Sequence, residues 1–200
     1  MVMEAENSFI DAVVDLYRAK DWRSIVLLNE HSNNEAALRL LWVWPSLENV
    51  EFIRRTLCES NLSGMISIGC GCGLLEWILQ EATGFKVFGI EVNEEWWISK
   101  YSNPKFIPHL YPTAEEPNPV LNPNFALLFC YFNDGQAFKE YVDRYEGCLI
   151  VIIGPGEGRG THTDPEPFKP DFGIYSRWNL LSFQEVKTTK DFIAVYQRQQ

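Results

Sequence analysis

Nowhere in this 200-residue chain does an apolar run approach about eighteen residues, so no transmembrane helix and no membrane partner are expected. Positive charge is scarce. Seventeen Lys and Arg stand against 27 Asp and Glu, leaving a formal net charge of −10, and the basic residues are scattered apart from the pair Arg54-Arg55. A sequence-independent grip on nucleic acid needs basic patches that release counterions, so nucleic acid is not an expected partner unless a basic subunit supplies the charge. An acidic surface suits a neutral or cationic small molecule, or a basic protein segment. Cysteine is present but unpatterned. Five residues, an odd number at irregular spacing, point to a reduced, cytoplasmic protein rather than a disulfide framework. Cys70-x-Cys72 has no accompanying His/Cys cluster, so no metal site is expected. Glu4, Glu6 and Asp11 precede the first basic residue, which argues against a targeting leader. Repeats and low-complexity tails are absent.

Apolar residues make up 46% of the chain, enough for a substantial core in one domain with an N-terminal extension. Phe9, Ile10, Val13, Val14, Leu16 and Tyr17 recur at helical spacing within 7–20, and further helices are expected over 34–43 and 47–59, the latter behind an N-cap at Ser46. From residue 64 the pattern alternates: strand 65–68, helix 74–82, strand 86–91, helix 94–101, short strand 105–107. Strand 125–131, helix 134–145 and strand 148–153 follow, and a hairpin near 182–188 and 191–197 closes the chain. The segments 125–131 and 148–153 are continuously apolar, as central parallel strands covered on both faces are. The expected architecture is α/β: a doubly wound, mostly parallel seven-stranded sheet with a terminal antiparallel hairpin. A helical extension (1–63) precedes a Rossmann-like unit (64–200).

The most informative segment is Met65-Ile-Ser-Ile-Gly-Cys-Gly-Cys-Gly-Leu-Leu-Glu76. A strand runs into glycines at every second position, Gly69, Gly71 and Gly73, and a helix follows. Such a turn lets backbone N–H groups approach a ligand closely. The dinucleotide fingerprint requires G-x-G-x-x-G, and here the third glycine comes one residue early, which disfavours a nicotinamide cofactor. Glu91 ends the next strand about twenty residues on, where a carboxylate can accept hydrogen bonds from a ribose diol.

In these two motifs the segment from Gly64 to Arg198 resembles the class I S-adenosylmethionine (SAM) dependent methyltransferases. The resemblance implies SAM as cofactor, held by Gly69, Cys70, Gly71, Gly73 and Glu91, with Tyr131 beside the sulfonium. It also implies an N-terminal segment that covers the ligand. Tyr131-Phe132-Asn133-Asp134 occupies the family's fourth-motif position but lacks the Asn/Asp-Pro-Pro-aromatic pattern of enzymes that methylate nucleic-acid amino groups. A small molecule or a protein is therefore the expected acceptor. The alternative is a catalytically inactive relative serving as a SAM sensor or a protein-interaction scaffold.

Candidate catalytic residues lie in the loops after the central strands. Asn133 or Asp134 can polarise an acceptor, though Asp134 equally suits a helix cap. The segment 154–172 carries four glycines and four prolines and reads as a mobile lid, with His162 either its general base or an exposed tip. His109 is a weaker candidate, and His31 falls in an N-terminal connection. Of Trp96 and Trp97, one is expected in the core and the other beside the adenine. Trp22, Trp42, Trp44 and Trp178 supply further aromatic surface.

Overall fold

A computed structural model of the chain describes residues 2–30, 35–113, 115, 119–174 and 176–199; His31 lies outside them. Helices α1 (Val2–Arg18), α2 (Trp22–Leu28) and α3 (Leu47–Glu59) precede the first strand. Then come β1 (Gly64–Ile68), α4 (Leu74–Thr83), β2 (Lys86–Ile90), α5 (Glu94–Ile98) and β3 (His109–Leu110). The second half runs β4 (Phe125–Cys130), α6 (Gly135–Arg144), β5 (Leu149–Pro155), β6 (Trp178–Glu185) and β7 (Asp191–Arg198).

The seven strands form one sheet in the order β3-β2-β1-β4-β5-β7-β6. Strands β1 to β5 are parallel, with Ile68 level with Ile90 of β2 and Phe129 of β4. β7 inserts antiparallel between β5 and β6. The chain starts in the middle at β1, winds out to β3, then returns to the other side of β1 at β4. That reversal opens a crevice at the C-terminal ends of β1 and β4, where open α/β sheets hold their ligands.

Alternation along the buried strands divides the core by face. Met65, Ala126, Leu128, Val151, Ile153 and Val195 pack with Val13, Ile25, Ile53, Leu74 and Ile78, so the N-terminal helices share a core with α4. Ile68, Leu127, Phe129, Ile150 and Ile152 face Phe138, Tyr141 and Tyr145 of α6 and its C-terminal end. Phe129 is fully buried against Phe132, Phe138 and Tyr141; truncating such a residue to Ala costs about 3–5 kcal/mol.

Several elements differ from the sequence expectation. Instead of a helix over 34–43 there is one 3₁₀ turn, Glu35–Arg39, then irregular chain into Pro45. Pro45 disfavours helical geometry at Trp44, whose indole N–H donates to the Val26 carbonyl at 3.1 Å instead. α2 went unread; Asp21 caps it by accepting from the Ser24 N–H at 3.0 Å. β3 starts at 109, not 105, because the Phe106 N–H donates to the Cys72 carbonyl at 2.9 Å and Pro108 has no N–H to give. α5 stops at Ile98, and the hairpin begins earlier, at Trp178.

Candidate functional site

The glycine turn is held in the conformation its sequence demands. Gly69, Gly71 and Gly73 all take left-handed φ values, 69°, 60° and 77°, which L side chains resist. A Cβ at Gly73 would also lie 2.3 Å from Ile107 Cγ1. The Gly69 N–H donates to the Ile90 carbonyl at 2.9 Å, fixing the turn to the end of β2. No side chain caps α4 at Gly73.

Glu91 reaches this turn. Its Oε1 accepts from the Gly71 N–H at 2.6 Å, a short charge-assisted bond. Glycine turn and strand-end carboxylate, twenty residues apart in sequence, thus meet directly.

Together they bound a cleft of about 310 Å³, within the range of roughly 300–1,000 Å³ typical of small-molecule sites. One wall is the turn with Glu76, Glu91 and Trp97; another is Leu38 to Trp42; Cys130 and Tyr131 close the end of β4. The N-terminal wall is tied down: the Cys72 thiol donates to the Leu40 carbonyl at 3.1 Å, and the Asn103 amide to the Arg39 carbonyl at 2.6 Å. Trp42, 63% exposed, stacks on Tyr131 with ring centres 5.8 Å apart. A larger, more open groove of about 500 Å³ lies beside Val142, Phe172, Trp178 and Arg198 and includes none of the residues singled out for chemistry.

Cys70, Gly69, Gly71, Glu91 and Tyr131 all line the cleft. Gly73 sits just behind it as the N-terminal boundary of α4. Burial pushes the Cys70 thiol far up and Cys72 up to about 12, so both stay protonated and neither is a ready nucleophile. Among the described residues no group of three or more His, Cys, Asp or Glu gathers as a metal site, and no helix is long and apolar enough to cross a membrane.

The three catalytic candidates sit elsewhere. Asn133, Asp134 and His162 do not line the cleft. Asp134 caps α6, its carboxylate accepting from the Ala137 N–H at 2.9 Å. Asn133 forms a β-bridge with Asp164, which draws the His162 loop against the start of α6. His162 itself is exposed on a neighbouring cavity, its Nδ1 3.3 Å from a Glu166 carboxylate oxygen. The structure therefore brings these three toward one another but not onto the glycine turn.

The glycine-rich segment expected as a lid makes several contacts with the sheet. Its first two residues belong to β5. The Gly156 N–H donates to the Lys190 carbonyl at 2.8 Å, Arg159 pairs with Asp191 at 3.1 Å, and the Tyr196 hydroxyl donates to the Pro167 carbonyl at 2.8 Å. Asp191 is buried and also accepts from the Tyr131 hydroxyl at 2.6 Å. Burial and that carboxylate raise the Tyr131 pKa to about 12, so its hydroxyl stays protonated and the ring is held at the cleft.

The tryptophans separate differently from the sequence reading. Trp97 is both the buried one and the one at the cleft; Trp96 is half exposed. Trp44 is core, packed edge-on against Phe9, while Trp178 opens β6 and stacks on Tyr145. His109 packs edge-on against Trp97 and contacts the Tyr111 hydroxyl at 3.0 Å; burial lowers its pKa. Trp42, one of the aromatics expected at a surface, does line the cleft, whereas Glu76, Asn103 and the wall from Leu38 to Leu41 escaped the sequence reading. A Glu three residues past the last glycine looks like an ordinary first-turn acid, and long-range contacts leave no local signal.

No family model and no curated protein matches this chain. Solved structures do. A magnesium protoporphyrin IX methyltransferase from Synechocystis, crystallised with SAM, superposes over 96% of this chain and 97% of its own at a TM-score of 0.51 and 13% identity. An O-methyltransferase from Bacillus cereus, in complex with S-adenosylhomocysteine (SAH), does so over 96% and 91% at 0.51 and 15%. The chain shares its fold with these two methyltransferases. At such low identity the likeness is one of architecture, and it extends over the N-terminal helices as well as the sheet. Within this fold the cleft described above occupies the sheet's switch point.

Proposed function

We propose that the cleft binds SAM and that the protein is a SAM-dependent methyltransferase acting on a small molecule or a protein. The observation that carries this reading is the direct meeting of Glu91 with the left-handed G-x-G-x-G turn at the crevice of a class I methyltransferase sheet. The residues suit the ligand. Glu91 retains a second carboxylate oxygen to accept from a ribose diol, Trp97 offers an apolar wall for adenine, and the Tyr131 ring lines the cleft where it can flank a sulfonium. Bound SAM would supply an already activated methyl group, so the chain's main task is alignment and, for some acceptors, proton removal. On this reading the acceptor approaches past the Trp42–Tyr131 stack, and Asn133, Asp134 and the His162 loop border that approach. The net charge of −10 disfavours a polyanionic acceptor.

A second reading, a SAM-binding sensor or scaffold without catalysis, is favoured by one observation. The catalytic candidates are occupied elsewhere: Asp134 is engaged as a helix cap, and His162, which does not line the cleft, lies against Glu166.

Calorimetry with SAM, SAH, NAD and NADP tests the common part. SAM and SAH are expected to bind with dissociation constants of about 1–10 μM; tighter binding of either nicotinamide nucleotide overturns the reading. Glu91→Ala should weaken SAH binding by about 10- to 150-fold, as expected for lost hydrogen bonds to a charged acceptor. Wild-type affinity in that variant removes the ribose assignment. Incubating a cell extract with methyl-labelled SAM separates enzyme from scaffold. Label in metabolites or protein supports catalysis, label in RNA alone overturns the acceptor class, and SAM binding without any transfer favours the scaffold.

A further inference from the structure

Glu76 is out of place for a helix-surface acid. It stands in the first turn of α4, where acids are common and usually solvated, yet it is 1% exposed and lines the cleft. Its Oε1 accepts from the Ser67 hydroxyl on β1 at 2.6 Å, and Ser67 is itself fully buried in the sheet. Its Oε2, equally buried, has no hydrogen-bond partner among the described residues. Buried carboxylate oxygens are rarely left so, because losing water without a replacement donor is costly.

We propose that Glu76 is the seat of a cationic amino group of the cleft's ligand, so that the cleft selects a nucleoside carrying an amino-acid chain over its deaminated analogue. This rests on the SAM reading and deepens it by naming the residue that recognises the ligand's amino end. The ionisable groups around Glu76 are Glu91 after β2, Cys70 and Cys72 in the turn, and Cys130 at the end of β4. None of them brings a positive charge. Protonation does not meet the need either: a proton on Oε1 can be shared with the Ser67 hydroxyl but leaves Oε2 without a donor, and a proton on Oε2 has nothing to accept it. An ammonium offers three N–H donors and a positive charge to set against the Glu76 carboxylate. A sulfonium offers charge but no donor, so the inference concerns the amino group, which SAM and SAH share. Burial and the charge of Glu91 raise the Glu76 pKa to about 7; an ammonium beside it would favour the ionised form.

The test titrates wild type and Glu76→Gln with three probes: SAH, SAH whose amino group is replaced by hydrogen, and methylthioadenosine, which lacks the amino-acid chain. Wild type is expected to prefer SAH over the deaminated analogue by about 10-fold or more. In Glu76→Gln that ratio should fall toward one, while methylthioadenosine binds within about twofold of wild type, reporting an intact cleft. Equal wild-type affinity for SAH and its deaminated analogue overturns the assignment, as does an undiminished ratio in the variant. Should the variant not fold, the wild-type ratio is measured from about pH 8 to about pH 6. It should decline as Glu76 gains its proton, and a constant ratio overturns the assignment. Failure of wild type to bind any of the three overturns the SAM reading, and this inference with it. Binding of SAH and methylthioadenosine without the amino preference overturns the Glu76 assignment alone.

Discussion

The crevice has two rims, and their polar groups are in different states. On the β1–β2 rim, polar groups border the cleft: an uncapped helix start, the Glu91 carboxylate bonded through one oxygen to the glycine turn, and the unpaired Oε2 of Glu76. On the β4–β5 rim, the groups that sequence marks as reactive are engaged within the protein. Asp134 caps a helix, Asp191 holds both Arg159 and Tyr131, and His162 faces Glu166. The first rim has unmet hydrogen-bonding capacity aimed at a cleft, whereas the second has its capacity satisfied by the fold.

The sharpest way to break this contrast is Gly71→Val. Gly71 lines the cleft at φ 60°, and a Cβ there meets no atom within 4 Å, so the side chain enters open space. Backbone strain costs roughly 1–2 kcal/mol, which most folded domains survive. SAH binding is expected to fall by more than about 100-fold with a cooperative melt retained. Undiminished binding would show that the ligand does not use this rim.

Next in size is an effect on stability. The Glu76 carboxyl has an ordinary value of 4.5 and stands at about 7 in the fold, raised mainly by burial. The unfolded chain thus releases this proton near 4.5 and the folded chain only near 7. Between those values the folded state binds more protons, so the group's contribution to stability falls as pH rises. The ligand-free protein should lose on the order of 3 kcal/mol through this group across that window. Glu76→Gln should lack the loss. Urea midpoints of both proteins near the two ends of the window measure it, and parallel pH profiles would mean that Glu76 ionises as freely as a surface acid.

How much of this could be read from residues alone follows from locality. The G-x-G-x-G turn, the apolar segments 125–131 and 148–153 and the strand-end Glu91 are local patterns, and the parallel sheet with its closing hairpin follows from their alternation. Contacts between distant segments are not encoded that way. Nothing near Leu40 announces that its carbonyl takes the Cys72 thiol, and nothing near Asp191 announces Tyr131, sixty residues earlier. Helix 34–43 misled because apolar spacing in Ala37, Leu38, Leu40 and Leu41 fits a helix, whereas Pro45 and the pull of Trp44 toward Val26 set the backbone. Glu76 was invisible because the same residue in the same first turn is normally solvated.

The smallest expected effects fall on the β4–β5 rim, and they decide whether that rim has a role beyond the fold. Asp134→Ala removes the cap bond to the Ala137 N–H and should cost about 0.5–2 kcal/mol of stability with SAH affinity unchanged. His162→Ala removes an exposed ring whose nearest ionic partner is Glu166, and its cost to stability should stay within about 0.5 kcal/mol. The two substitutions therefore differ most where neither touches the cleft, and transfer of label from SAM supplies the independent readout. If His162 borders the acceptor, its loss lowers transfer while melting temperature and SAH binding stay at wild-type values, a pattern that packing cannot produce. Transfer that survives His162→Ala but drops with Asp134→Ala in proportion to lost stability would leave this rim purely structural. The acceptor's proton would then have to leave through the acceptor itself or through water.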